Sequence, residues 1–158
     1  MPIVRSTHIE VYLFRRRRRR VEFLLLRRAR ARRVLPGIWQ PVTGKRNARE
    51  RMLAAAVREV REETGITPRH WWALETLTVY LDAENDTIVP LPLFAAELDA
   101  RAKVRLSREH DAAKWVTLAA AKRWVLWESQ RRGFEAVRRE VLTNARLAAA
   151  LEVRPKRA

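Results

Sequence analysis

The sequence predicts an α/β fold in a single domain, on three observations. Runs rich in branched and aromatic residues, bounded by turn or charge signals, read as strands over the first two thirds of the chain. A Gly- and Pro-free stretch from Ala48 to Thr64 interrupts them with helical spacing, which returns after Thr117. The 158 residues amount to one domain and can bury a substantial core, and no internal repeat or linker divides them.

Taken in order, Thr7 to Arg16 and Val21 to Arg28 form a hairpin, and Ile38 to Val42 is a short strand leading into a loop. In the helix that follows, Leu53, Val57 and Val60, with Met52 and Ala56 beside them, fall on one stripe. Asn47 is its candidate N-cap, and Gly65 stands where a left-handed residue ends a helix, with Pro68 soon after. Trp71 to Leu81 and Thr87 to Leu98 read as strands around the polar turn Asp82 to Asp86. Pro90 and Pro92 make the second an edge strand, or irregular at its start. Lys114 to Val116 is a short strand, and Thr117 caps a helix running to about Trp127. Phe134, Val137, Val141 and Ala145 carry a helical stripe onward. The domain closes at residue 152, and Val153 to Ala158 is a basic tail expected to lack order.

Composition removes several function classes. There is no cysteine, so neither a disulfide framework nor a thiolate zinc site can form. No apolar run approaches the roughly 18 residues of a membrane span, and no apolar leader precedes the first strand, so the expected location is cytoplasmic. The 34 Lys and Arg exceed the 18 Asp and Glu, giving a formal net charge of +16 that attracts polyanions of almost any kind. Arg15 to Arg20 is an unbroken run of six at the hairpin turn. It is open to two readings, a solvated tip or a contact for phosphates or RNA, and no aromatic residue interleaves it as single-strand binding would favour.

The chemistry is concentrated between Gly44 and Ile66. The order is Gly44, five residues, Glu50, seven residues, Arg58-Glu59-Val60, one residue, Glu62-Glu63, one residue, Gly65-Ile66. Seven identities at ordinary residue usage give a chance match of about one in 10⁸ per starting position. On a helix Glu59, Glu62 and Glu63 are related by i, i+3 and i+4, so their carboxylates project together within about 6 Å of axial rise. Three like charges in one spot repel and want a cation. Clustered hard oxygen ligands suit Mg²⁺ or Mn²⁺, which retain waters and substrate phosphate oxygens.

This segment resembles the Nudix box of the MutT-like hydrolases, G-x5-E-x7-R-E-U-x-E-E-x-G-U with U aliphatic, at every specified position. The resemblance implies an α/β/α sandwich with a mixed β-sheet between helices, covering nearly all of the chain, and hydrolysis of a diphosphate linkage with a divalent metal. Carried over by position, Glu59, Glu62 and Glu63 are the implied metal ligands, joined by the Gly44 carbonyl. Arg58 is implied to orient the glutamates, and Glu50 to stabilise the loop or support a second metal. Trp39-Gln40-Pro41-Val42-Thr43-Gly44 resembles the W-Q-x-V-T-G segment of the dihydroneopterin triphosphate diphosphatase subgroup. Glu109-His110, with Lys114-Trp115, resembles its E-H-x-x-x-K-W. An arginine near Arg27 and Arg28 contacts substrate phosphates in similar enzymes. The chain departs from many family members in having Thr43 rather than Gly, and a basic loop, KRNAR, after Gly44.

The expected reaction is metal-dependent attack of water on phosphorus in a pterin or purine nucleoside triphosphate, giving the monophosphate and pyrophosphate. The base is Glu109 or one of the helix glutamates, Arg27 or Arg28 stabilises developing charge, and Trp39, Gln40 or Tyr80 meets the substrate. The other tryptophans, Trp71, Trp72, Trp115, Trp124 and Trp127, are expected in the core or at interfaces. Dinucleoside polyphosphates, 5′-triphosphorylated RNA or a binding-only domain remain alternatives. Oligomeric state is open, a homodimer included.

Overall fold

The computed structural model describes residues 3–4 and 6–156. In chain order it contains β1 (Ile3–Val4), β2 (His8–Arg17), β3 (Arg20–Arg28), β4 (Trp39–Gln40), β5 (Val42–Lys45), α1 (Met52–Thr64), β6 (His70–Asp82) and β7 (Thr87–Leu98). Then come β8 (His110–Val116), α2 (Leu118–Trp124), α3 (Glu128–Val137), a π-helical turn (Arg138–Leu142), α4 (Ala145–Leu151) and β9 (Glu152–Val153). The strands make one mixed sheet whose main path runs β4-β3-β2-β7-β6-β9, with β1 on β7, β5 on β2 and β8 on β3. The expected mixed α/β architecture is the observed one.

Alternation along the central strands builds two cores. Ile9, Val11 and Leu13 of β2 and Leu24 and Leu26 of β3 pack beneath α1 with Ala55, Ala56 and Val60. Tyr12 and Phe14 of β2 and Phe23 and Leu25 of β3 face the other way, toward α2, α3 and the π-helical turn, where Phe134 and Val137 meet them. A sheet buried on both faces explains why β2 and β3 read as continuous apolar runs.

Several predicted elements differ in detail. The helix begins at Met52 rather than Ala48, with Arg51 extended at its N-cap position. Asn47 is not the cap. Its N–H donates to Glu50 Oε2 at 2.9 Å, and Arg49 takes a positive φ of 63°, so these residues close a loop instead. Gly65 does end the helix in the left-handed region, at φ 71°. Ile38 to Val42 divides into β4 and β5 at Pro41, which has no N–H to contribute. The last strand extends back to His110. The helix begun at Thr117, whose side chain accepts from the Ala120 N–H, stops at Trp124.

Pro90 and Pro92 do not mark an edge strand, because β7 lies inside the sheet between β6 and the pair β1 and β2. On that second side β7 pairs through Ile88 with β1 and from Leu93 onward with β2, and both prolines fall in the gap. N–H groups two residues apart point to the same side of a strand, so prolines at this spacing spoil only that edge. Val153, placed in the tail, pairs with Trp71 as part of β9. Arg157 and Ala158 lie outside the described residues.

The α3-side core holds a polar group. Glu10 is 6% exposed and its Oε2 accepts the Tyr12 hydroxyl at 2.5 Å, while the Tyr12 ring meets Phe134 edge to face at 4.8 Å. Tyr12 lies directly against Gly133 of α3, where any side chain would overlap it. Burial pushes the Glu10 carboxyl up to about 6, against the opposing pull of Tyr12 and Gln130. Between its unfolded value near 4.5 and about 6, the folded state keeps a proton that the unfolded state has lost. This group's contribution to stability therefore falls across that window, by about 2 kcal/mol in all. Urea unfolding at pH 4.5 and pH 7 should show Glu10→Gln gaining stability relative to the parent by up to that amount at the higher pH. An unchanged difference at the two pH values would contradict a buried ionisable Glu10.

Candidate active site

The loop after β5 and the first turns of α1 are tied together by one side chain. Arg58 Nε donates to Glu50 Oε1 at 2.9 Å and its Nη2 to Glu50 Oε2 at 3.0 Å, a two-pronged ion pair. The same Nη2 donates to the Lys45 carbonyl at 2.8 Å, and Nη1 donates to Glu59 at 2.8 Å and Glu62 at 3.2 Å. Arg58 thus pulls the Glu50 carboxyl below the usual carboxylate range. Gly44 is required by contact: Glu59 lies against its Cα, and a β-carbon there would overlap Glu59 Cγ and Cδ.

Glu63 is the unusual carboxyl of the group. It is 3% exposed, its Oε2 has no hydrogen-bond partner, and His110 Nε2 is 4.0 Å away. Burial first, then the charges of Glu59, Glu109 and Glu62, push it up to about 9. Glu59 is raised too, chiefly by burial, against the pull of Arg58. Among the described residues no three acidic or histidine side chains converge on one point as they stand. Arg58 holds the Glu59 and Glu62 carboxylates at its own guanidinium. The residues nevertheless suit a hard divalent cation: the donors are all oxygen, and a buried carboxyl oxygen is left without a partner.

The remaining predicted residues divide between the two faces of the sheet. Arg28 and Gln40 share the α1 face with His110 and Glu63, since Arg28 pairs with His110 and Gln40 with Leu26. Gln40 is 5% exposed, and its amide nitrogen is 3.4 Å from His110 Nε2. Burial pushes His110 down to about 4, so its ring is neutral at pH 7 and can accept that N–H. Glu109 is half exposed, its Oε1 3.8 Å from Arg32, and close enough for its charge to raise both Glu59 and Glu63.

Arg27 and Trp39 lie on the opposite face with Lys114 and Trp124, where the four line a shallow pocket of about 480 Å³. The Trp39 and Trp124 rings are 5.5 Å apart, Lys114 Nζ is 5.2 Å from the Trp124 ring and 6.0 Å from Trp39, and Arg27 is 5.7 Å from Trp39. Arg27 is anchored through Nε to Asp111 Oδ1 at 2.6 Å. Lys114 and Trp124 were not singled out as site residues from the sequence. Lys114 stands within the E-H-x-x-x-K-W resemblance, which could have found it, but nothing local marks Trp124.

Other aromatics and the arginine run fall elsewhere. Trp71 and Trp72 are buried, Trp115 lies under the Arg15 guanidinium at 4.0 Å, and Trp127 and Tyr80 are exposed. Arg15 is buried and paired with Glu22, and Arg16 pairs with Glu97, which leaves Arg17 to Arg20 at the tip. Gly44 pairs with Ile9 of β2, and Arg17 is eight residues further along that strand. At the rise of a strand, the tip stands roughly 26 Å from the glutamates' end of the sheet.

Comparison with known proteins agrees with this geometry. The chain is 40% identical over 93 residues to an octanoyltransferase of Myxococcus xanthus, a span of 54% of this chain and only 24% of that protein. It is 33% identical over 105 residues to the asymmetrical bis(5′-nucleosyl)-tetraphosphatase of Mus musculus, covering 64% of this chain and 67% of that one. The E. coli dihydroneopterin triphosphate pyrophosphohydrolase shares the fold at a TM-score of 0.70 and 24% identity, over 85% of this chain and 96% of that chain. With the NUDIX domain matching residues 6–137, and the Gly44–Ile66 segment folded into the loop and helix just described, the chain belongs to the NUDIX family.

Proposed function

We propose that this chain is a Mg²⁺- or Mn²⁺-dependent hydrolase that cleaves the phosphoanhydride of a nucleoside- or pterin-triphosphate-type substrate to the monophosphate and pyrophosphate. One observation carries the reading: a buried, unpartnered Glu63 carboxyl beside two glutamates clamped by a single arginine. A structural helix gains nothing from that arrangement, whereas a cation binding site needs it. The similarity to a bis(5′-nucleosyl)-tetraphosphatase keeps dinucleoside polyphosphates as a second reading, and a binding-only role is the least favoured.

The metal would be held by Glu59, Glu62, Glu63 and the Gly44 carbonyl. When bound it neutralises phosphate oxygens and acidifies a water. The protein's own groups do the rest. Arg58 holds two of the glutamates in a fixed orientation, so little reorganisation is needed when substrate arrives. Glu109, half exposed beside the cluster, is the candidate to take the attacking water's proton, with the helix glutamates as the alternative. The water oxygen bonds to phosphorus as the bridging P–O bond breaks, and pyrophosphate leaves with the bridging oxygen. Trp39 and Trp124 offer a stacking surface to the base or pterin. Lys114 and Arg27 supply positive charge at the same edge, and Arg28 supplies it on the glutamate side.

Two outcomes test this. Incubation with Mg²⁺ and a panel of dihydroneopterin triphosphate, nucleoside triphosphates, dinucleoside polyphosphates and triphosphorylated RNA should give product release from one class. Glu63→Gln should lose at least about a hundredfold in kcat/KM while keeping or raising its Tm, because the substitution removes a buried ionisable group. Equal activity in Glu63→Gln would remove the metal-ligand assignment. Separately, Lys114→Ala and Trp124→Ala should each raise KM about tenfold with kcat within threefold. Unchanged KM and kcat in both variants would place the substrate elsewhere.

A further inference from the structure

One edge of the sheet leaves backbone groups unclaimed. Strand β6 is the outer strand beside β7, and β9 covers only its start, pairing with Trp71 and Trp72. The register then shifts between Ala73 and Leu77. Within that bulge the N–H groups of Glu75 and Thr76 donate to Glu140 Oε2 of the π-helical turn, at 2.8 and 3.4 Å. From Leu77 to Leu81 the strand pairs with β7 on one side, and among the described residues nothing pairs with the other. Leu77, Val79 and Leu81 lie opposite Pro92, Pro90 and Ile88, on the face of the sheet that Phe94 shares with the α1-side core. All three are more than half exposed, as is Val4, which pairs with Ile88 on the same face.

Open strand edges are ordinarily protected by charge, proline, brevity or a cover, because they template pairing with another strand. The opposite margin of the sheet follows that rule: β4 is two residues long, and β8 carries Asp111 and Lys114. Thr76 to Leu81 does not. In a chain whose residues are 33% charged, this run contains neither a charge nor a proline. The run is also complementary to itself. Placed antiparallel across a two-fold axis at Val79, it sets Leu77 against the partner's Leu81 and Thr78 against the partner's Tyr80, keeping the apolar residues on one face. The next pair sets Asp82 against the partner's Thr76, whose hydroxyl accepts from the partly exposed Arg139. Among the described residues Asp82 bonds only Asn85, so the axis brings it a cation, once on each side. Moving the axis by one residue loses that contact and sets Leu81 against Glu75, or Leu77 against Ala83.

We propose that a second copy of this chain pairs with this edge, the β6 strands of the two protomers joining their sheets antiparallel across a two-fold axis at Val79. The site residues on β3, β4 and β8 lie beyond β2 and β7 from that edge, so both sites stay open in the dimer. The interface does not depend on the hydrolase reading. An unrelated extended peptide would satisfy the same backbone groups without the paired contacts between Asp82 and Arg139.

Sedimentation equilibrium of the full chain should show a species of twice the 18.6 kDa of one chain, with a Kd of about 10 µM or tighter. Val79→Lys, which places two like charges on the axis, should weaken the dimer at least about tenfold with its near-UV circular dichroism unchanged. Val4→Lys, on the same apolar face but off the edge, should weaken it less than about threefold. Equal loss in the two variants would mean face-to-face packing and overturn the edge pairing. The chain has no cysteine, so introduced ones report the register directly. Two residues on the axis of an antiparallel pair have Cα atoms about 4.5–5.5 Å apart, within the span of a disulfide, whereas the two Leu77 residues would be roughly 13 Å apart. Val79→Cys should therefore oxidise to a cross-linked dimer on a non-reducing gel, and Leu77→Cys should not. A parent chain still monomeric at about 100 µM, or cross-linking that favours Leu77→Cys over Val79→Cys, would overturn the proposal.

Discussion

The guanidinium of Arg58 is the contact on which the rest of the site depends. It grips Glu50 with two N–H groups, the Lys45 carbonyl with a third bond, and Glu59 and Glu62 with its remaining nitrogen. Without it the loop from Lys45 to Arg51 would have little to hold it against α1, and the helix would present like charges with no partner. A lysine could not substitute, having one point charge where the geometry uses a planar fork. Gly44 completes the arrangement sterically, since only a residue without a side chain lets Glu59 lie against the strand. Glu63 is the one member that Arg58 does not reach, and so its charge is the one burial penalises most.

The second constraint is the alternation of β3 at its exit from the sheet. Adjacent residues Arg27 and Arg28 point to opposite faces, one toward the tryptophan pair and one toward the buried histidine and glutamate. The end of this strand is therefore a two-sided rim, aromatic and cationic on one side and acidic on the other. A substrate with a flat ring system at one end and a run of phosphates at the other has matching parts for the two sides. The asymmetry follows from the pleat of a single strand.

The large positive charge is distributed with structure. Arg15, Arg16, Arg27 and Arg58 are engaged by carboxylates, and Arg15 is additionally stacked on Trp115. These cations hold the fold or the site together, so the formal charge of +16 overstates what is free to attract a partner. Of the remaining cations, Arg17 to Arg20 stand at the hairpin tip, and Arg51, Arg61, Arg154 and Lys156 line a groove beside α1 that also includes Glu62.

The Gly44–Ile66 motif, the helix it ends in, the hairpin and the central strands were legible from the sequence, because spacing along one element is a local property. The i, i+3, i+4 relation of three glutamates, the left-handed Gly65 and the Thr117 cap are all set within a few residues. The late start of α1 was not legible, since Asn47 looks like a cap until Glu50 claims its N–H and Arg58 claims Glu50. Nor was the interior position of β7, where two prolines are harmless only because a gap in pairing falls opposite them. The pairing of Trp39 with Trp124, the burial of Gln40 against His110 and the facing of α1 by Arg154 and Lys156 join residues 70 or more positions apart. Sequence determined which groups this protein carries and the chemistry of its one continuous motif. Tertiary structure alone decided which distant groups meet, because sheet pairing and packing set those distances and no local spacing records them.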